Sequence, residues 1–143
     1  MKILQEILKW FGEYQWDMDK KEMEELYLKL IWEEENELEE AWKNQDIIEV
    51  LDAIADIVWV RTWYLYFAWV KDIETKFQNM IINYWIVVPI DLLIMAIQEV
   101  AKSNFTKSKL KQEEWEKVWK IVKWEWYIAP NLHEVFKKYK ETN

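Results

Sequence analysis

The sequence predicts an all-α fold, and three observations lead to that prediction. Glycine and proline, with one and two copies in 143 residues, are too scarce for a chain built on hairpin turns. Leucine, isoleucine, glutamate and lysine, which suit helices joined by short loops, dominate the composition. Near the N-terminus and in the acidic segment that follows, apolar residues recur at three- and four-residue spacing. We therefore expect antiparallel helices packed as a bundle.

The length fits a single domain that spans residues 1–143, with a less regular segment from about residue 104. A helical bundle of this size can leave apolar surface exposed, so we expect oligomerisation, as a homodimer or homotetramer, to complete the core. We find no linker, internal repeat or low-complexity segment that would mark a second domain.

The predicted helices follow in order. The first runs from about Lys2 to Phe11 and stops at Gly12. The second begins after an N-cap at Asp19 and ends near Lys43. A short link leads to a third helix, from about Asp46 into the region of residues 63–69. Because proline suits the first turn of a helix, Pro89 predicts another from Ile90 to about Lys102. Pro130 precedes a tail that ends in LHEVFKKYK.

Charge and composition exclude several classes of function. The net charge of −8 argues against a nucleic-acid-binding surface, which needs a basic stripe. Without cysteine the chain has no disulfide and no thiolate metal site, which fits a reducing cytoplasm. Two apolar runs, over residues 54–70 and 80–97, are interrupted by Arg61 and by Pro89 and Asp91, so we predict no membrane span. The N-terminus lacks the features of a signal peptide.

Two pairs of carboxylates interrupt the apolar stripes of the second and third helices. Glu34 and Glu37 are three residues apart, as are Glu49 and Asp52, so each pair projects from one helix face. Such pairs on neighbouring antiparallel helices suit Mg²⁺, which takes oxygen ligands. The alternative is a solvated face of a glutamate-rich helix, as most acidic runs are. Spacing alone leaves both interpretations open.

The segments LIWEEENELEEA and EVLDAIADIVWV resemble the EExxE and ExxD motifs of the MazG-like all-α nucleoside triphosphate pyrophosphohydrolases. Farther on, EVAKSNFTK and WKIVKWEWYIAPNL resemble the ending of short phage-type members. The similarity extends from about Leu4 to Phe136, although the spacer between the two acidic motifs is short for the family.

The resemblance implies hydrolysis of a (d)NTP to the (d)NMP and pyrophosphate, in nucleotide-pool control in the cytoplasm of a bacterial or phage-infected cell. The implied catalytic residues and ligands of Mg²⁺, or of Mn²⁺ in its place, are Glu34, Glu37, Glu49 and Asp52. Asp56 is either a further ligand or an acid compensated by Arg61 or a lysine.

Four further residues are candidates for contacting the substrate. Asn104, Lys107 and Lys123 are candidate phosphate contacts, with ordinary surface polarity as the alternative. Tyr127 either borders the base or packs before the proline turn. The lone histidine, His133, is assigned no role.

Two other functions stay open at this point. One is a non-catalytic helical assembly or interaction protein whose acidic stripe faces solvent. The other is a dUTPase-like or phosphoribosyl-ATP-hydrolysing relative, because the preferred base and sugar are not encoded in a short motif.

The chain carries twelve tryptophans and one glycine, where average usage would give about ten glycines. Trp63, Trp69, Trp119 and Trp124 stand where the resembled phage-type pattern has glycine. We hypothesise that the gene uses UGA for glycine and that UGA has been read here as tryptophan. The alternatives are a truly tryptophan-rich core or a redesigned sequence. Backbone geometry offers a test, because turn glycines often take a positive φ.

Overall fold

The structure, a computed structural model, describes residues 2–12, 19–105, 108–109, 121–122 and 128–142. Six helices are described: α1 Lys2–Gly12, α2 Lys20–Lys43, α3 Ile47–Phe67, α4 Ile73–Asn83, α5 Ile90–Asn104 and α6 Leu132–Thr142. Two short strands, β1 Ser108–Lys109 and β2 Ile121–Val122, pair antiparallel, with Ser108 opposite Val122. The prediction of an all-α fold is confirmed, since these strands are only two residues long.

The starts of α2 and α3 are fixed by aspartate caps. The carboxylate of Asp19 accepts a hydrogen bond from the backbone N–H of Glu22 at 2.8 Å. In the same way, Asp46 accepts from the N–H of Glu49 at 3.2 Å. Each cap satisfies a backbone donor that the first turn of a helix would otherwise leave without a partner. The predicted helix start after Asp19 is confirmed, and Asp46 is the N-cap of α3.

Helix α3 lies at the centre of the fold and contacts each of the other described helices. Its sequence is apolar on nearly every side, which is the pattern of a helix surrounded by others. Leu51, Ile54 and Val58 are fully buried, as are Phe11 of α1 and Leu93 of α5. Burial of each such side chain contributes roughly 1.5–3 kcal/mol. The central position of α3 therefore fixes where its acidic residues lie.

The two apolar runs, residues 54–70 and 80–97, lie in different parts of the fold. The first lies largely within α3, and the second is divided between α4 and α5 by the turn before Pro89. Within the part of the chain that the structure describes, no helix combines the length and the apolar character needed to cross a bilayer.

Helix α6 was not predicted as a helix. Leu132 and Val135 are buried in the same core as α3 and α5. Asn131 accepts the backbone N–H of Glu134 at 3.2 Å and so stabilises the first turn. The described residues after residue 104 therefore include a regular helix besides β1 and β2, and this helix packs against α3 and α5.

Several large apolar side chains remain exposed on α2 and on the turn between α4 and α5. Leu28 and Trp32 of α2 are 63% and 66% exposed. Trp85 and Ile86 of the turn are 63% and 94% exposed. Such side chains are normal when scattered, but when grouped they indicate an interaction surface.

Candidate metal centre

The two acidic motifs lie on the antiparallel hairpin formed by α2 and α3. The rings of Tyr27 and Tyr64 are stacked, with centroids 4.1 Å apart and planes inclined by 22°. Arg61 donates to Glu35 at 3.2 Å. Residues far from the connecting loop on α2 thus meet residues far from it on α3. The two motifs therefore lie on neighbouring helices, as the short link predicted.

Glu34 takes the inward position that the apolar stripe predicted. It is half-buried, whereas Glu33 and Glu35 on either side of it are exposed. Glu37 was also predicted to face inward, but it is exposed. Glu37 lies on the flank of the stripe, where a long side chain can reach solvent.

The surroundings of the Glu34 carboxyl raise its pKa and so disfavour its charged form. Burial, followed by the charge of Glu37 and a hydrogen bond with it, raises the pKa of Glu34 to about 7 from 4.5. Asp52 of α3 and Glu33 add to the rise in this pKa. One oxygen of Glu34, Oε2, is buried and has no hydrogen-bond partner among the described residues. A buried carboxylate oxygen in this situation is costly unless a cation or a donor compensates it.

The acids of α3 divide into two groups. Asp52 and Asp56 are half-buried, whereas Glu49 is exposed near the start of the helix. The charge of Asp52 acts on Glu34, so the structure brings Glu34, Glu37 and Asp52 into one neighbourhood. Even so, no three His, Cys, Asp or Glu side chains in the described ranges are gathered closely enough to hold a metal ion as they stand. The acidic side chains of the two motifs are therefore not assembled around a common point.

The predicted substrate contacts are placed only in part. Asn104 is the last residue of α5 and is only 5% exposed. A phosphate would reach its amide only after some rearrangement of the packing around it. Lys107, Lys123 and Tyr127 lie outside the described residues, and so do Trp119 and Trp124.

The ion pair between Glu35 and Arg61 was not predicted from the sequence, which suggested Arg61 or a lysine as a partner of Asp56. The pair has an N···O distance of 3.2 Å and is partly exposed. Two half-buried tyrosines lie close by. Burial raises the pKa of Tyr27, an effect that the charge of Arg61 partly offsets. Burial likewise raises the pKa of Tyr84, and Arg61 again opposes the rise. The sequence signal that could have predicted this ion pair is an acidic residue, Glu35, and a basic residue, Arg61, at facing positions of the predicted α2–α3 hairpin.

A cleft of about 420 Å³ lies between α1 and α5 and is lined in part by Lys2, Glu6, Lys102 and Phe105. None of the predicted metal ligands lines it. The neighbourhood of Glu34, Glu37 and Asp52 on the α2–α3 hairpin is therefore separate from this cleft. Comparison with models of protein families, with curated proteins and with solved structures found no match.

Proposed function

We propose that the chain is a Mg²⁺-dependent nucleoside triphosphate pyrophosphohydrolase of the MazG-like all-α type, converting a (d)NTP and water to a (d)NMP and pyrophosphate. The observation that carries the proposal is the carboxyl of Glu34. It has a buried oxygen without a hydrogen-bond partner in the described part of the chain, and it stands beside the charges of Glu37 and Asp52. A bound divalent cation would compensate all three groups at once.

The donor set fits Mg²⁺, because it consists of carboxylate oxygens and contains neither sulfur nor imidazole. Glu34, Glu37, Glu49 and Asp52 would hold the ion, with Asp56 as a further ligand. The exposed side chains of Glu37 and Glu49 would have to turn toward it, since no site is assembled among the described side chains.

In the proposed reaction the oxygen of a water molecule forms a bond to the α-phosphorus, and the bond from that phosphorus to the oxygen bridging toward the β-phosphorus breaks. Pyrophosphate leaves, and the proton of the attacking water passes to solvent. When bound, Mg²⁺ supplies neutralisation of the triphosphate charge and activation of water. The carboxylates of α2 and α3 orient the ion and the water. Asn104, Lys107 and Lys123 would bind the phosphates and Tyr127 would border the base. No covalent bond to the protein is needed.

Oligomerisation is part of the proposal. The exposed Leu28, Trp32, Trp85 and Ile86 suit an interface, and burying them between subunits would complete the bundle core as a homodimer or homotetramer. We place the enzyme in the cytoplasm, where it would act on the nucleotide pool of a bacterial or phage-infected cell.

A second candidate is a non-catalytic helical assembly protein. Two observations favour it: the exposed apolar side chains, and the lack of an assembled metal site among the described residues. In that case the acidic stripe is only a solvated face. A dUTPase-like or phosphoribosyl-ATP-hydrolysing activity would be a variant of the leading proposal, which a panel of triphosphates would resolve.

The deciding experiment measures pyrophosphate release from a panel of nucleoside triphosphates with Mg²⁺ or with chelator. We expect activity only with the metal, and a loss on the order of 100-fold or more in Asp52→Asn and Glu37→Gln. Glu40→Gln is the matched control, since Glu40 is exposed on the same helix. If the folded wild type binds Mg²⁺ in a titration but releases no pyrophosphate, the metal site stands and the reaction is wrong. If it binds no Mg²⁺, the assembly protein is the better conclusion.

A further inference from the structure

Helix α3 ends in a turn that favours glycine, and the residue at that position is Trp69. Ala68 is the C-cap, and Trp69 follows it with φ of 55°, in the left-handed region. The N–H of Trp69 donates to the carbonyl of Tyr66 at 3.3 Å, and the N–H of Val70 donates to that of Leu65 at 3.1 Å. These two bonds form a Schellman motif, whose left-handed residue is usually glycine because a Cβ is disfavoured there.

Nothing in the surroundings of Trp69 compensates for this conformation by burying the side chain. Trp69 is 91% exposed. Tryptophan is among the largest apolar side chains and is buried to a high degree on average. A bulky residue in the left-handed region is a conformational outlier. The left-handed backbone therefore fits glycine at position 69 better than tryptophan, and the exposed side chain gains no burial that would offset its cost.

Other tryptophans of the same chain have the opposite character. Trp10 is 8% exposed, and its ring centroid lies 5.4 Å from that of Trp59. Trp59 also contacts Phe11 edge-on at 5.0 Å and Phe105 at 6.2 Å. These two indoles fill the core between α1, α3 and the end of α5, where glycine would leave a cavity. The chain thus uses tryptophan in two incompatible ways.

We infer that position 69 is glycine in the natural protein, encoded by UGA, and that Trp10 and Trp59 are true tryptophans encoded by UGG. The inference rests on the turn geometry, on the two classes of tryptophan and on the ratio of twelve tryptophans to one glycine. It is independent of the proposed enzymatic function. The backbone geometry does not support glycine at position 63, because Trp63 is buried and does not have a positive φ.

The first test is to read the three codons and to determine the mass of the peptide between Arg61 and Lys71 in the protein made by cells that carry the gene. We expect UGA at position 69, UGG at positions 10 and 59, and a peptide with glycine at position 69. UGG at position 69 overturns the inference. UGA at position 10 or 59 also overturns it, because UGA would then stand for tryptophan, and so does a native peptide with tryptophan at position 69.

The second test checks the geometry by thermal unfolding. Gln45 ends α2 in the same motif with φ of 55°, so Gln45→Gly is the matched control for gaining glycine at a left-handed position. We expect Trp69→Gly to raise Tm by about 2–6 °C, and Trp69→Ala, which keeps the Cβ, to raise it less. If Trp69→Gly is no more stable than Trp69→Ala, the geometric basis of the inference is wrong.

Discussion

Replacing Glu34 by glutamine should make the metal-free protein more stable at pH 8, although it removes a proposed ligand. The pKa of Glu34 is raised from 4.5 to about 7, chiefly by burial and by Glu37. A raised pKa means that the folded state binds the proton more tightly than the unfolded state does. The stability associated with the protonated carboxyl is therefore present in full below pH 4.5 and is lost as the pH rises through 7.

The expected gain in stability is calculated from the rise in the pKa of Glu34 and is then reduced to allow for screening by solvent. A shift from 4.5 to about 7 in a fully buried group would correspond to about 3 kcal/mol. Because Glu34 is only half-buried, solvent screening reduces this to about 1 kcal/mol. Glutamine has nearly the same shape and carries no charge, so Glu34→Gln should recover about 1 kcal/mol at pH 8, or about 2–4 °C in Tm. At pH 4 the gain should vanish.

The assay is thermal and urea unfolding, followed by helical circular dichroism, in chelator at pH 4 and pH 8 and then with added Mg²⁺. Wild type should gain about 2.7 kcal/mol when Mg²⁺ is at 100 times its dissociation constant, and Glu34→Gln should gain much less. Glu40→Gln, exposed on the same helix, should match wild type throughout. If Glu34→Gln is no more stable than wild type at pH 8 in chelator, the premise that burial and the neighbouring carboxylates destabilise the charged form of Glu34 is refuted.

Two further predictions concern the hairpin and the apolar surface. Arg61→Ala should cost about 1 kcal/mol in urea unfolding, and a double-mutant cycle with Glu35→Ala should attribute less than about 1 kcal/mol to the partly exposed pair itself. A coupling energy well above about 1 kcal/mol would contradict this prediction. Trp32→Glu combined with Ile86→Glu should convert an oligomer to a monomer in light scattering without lowering helical content. An unchanged mass would place the interface elsewhere.

Local signals predicted the helices well where a cap and a periodic stripe coincide. Asp19 marked the start of α2, and Pro89 precedes α5 as expected. Helix α6 was missed because its apolar stripe is short and its buried residues, Leu132 and Val135, are stabilised by packing on distant helices. The burial of Asn104 could not be predicted from the sequence either, because the pattern shows that the residue is polar but not which residues pack around it. Residues at helix starts could be predicted because they act on neighbouring backbone groups, whereas the burial of Leu132, Val135 and Asn104 depends on distant parts of the chain.

The candidate site shows why spacing alone could not separate a metal centre from a solvated helix face. Spacing fixes which side chains share a face of one helix, but the loop fixes the height at which the two helices meet. Measured from Gln45 at 1.5 Å per residue, Glu37 and Asp52 lie about 12 Å and about 10.5 Å along their helices, whereas Glu49 lies only about 6 Å along. Glu34 is farther out, at about 16 Å, and so differs in height from Glu49 by about two turns. Only its long side chain would let Glu49 join the others. The short spacer between the motifs therefore brings Glu37 and Asp52 to similar heights but leaves Glu49 nearer the loop, so the four acids do not form an assembled site among the described residues.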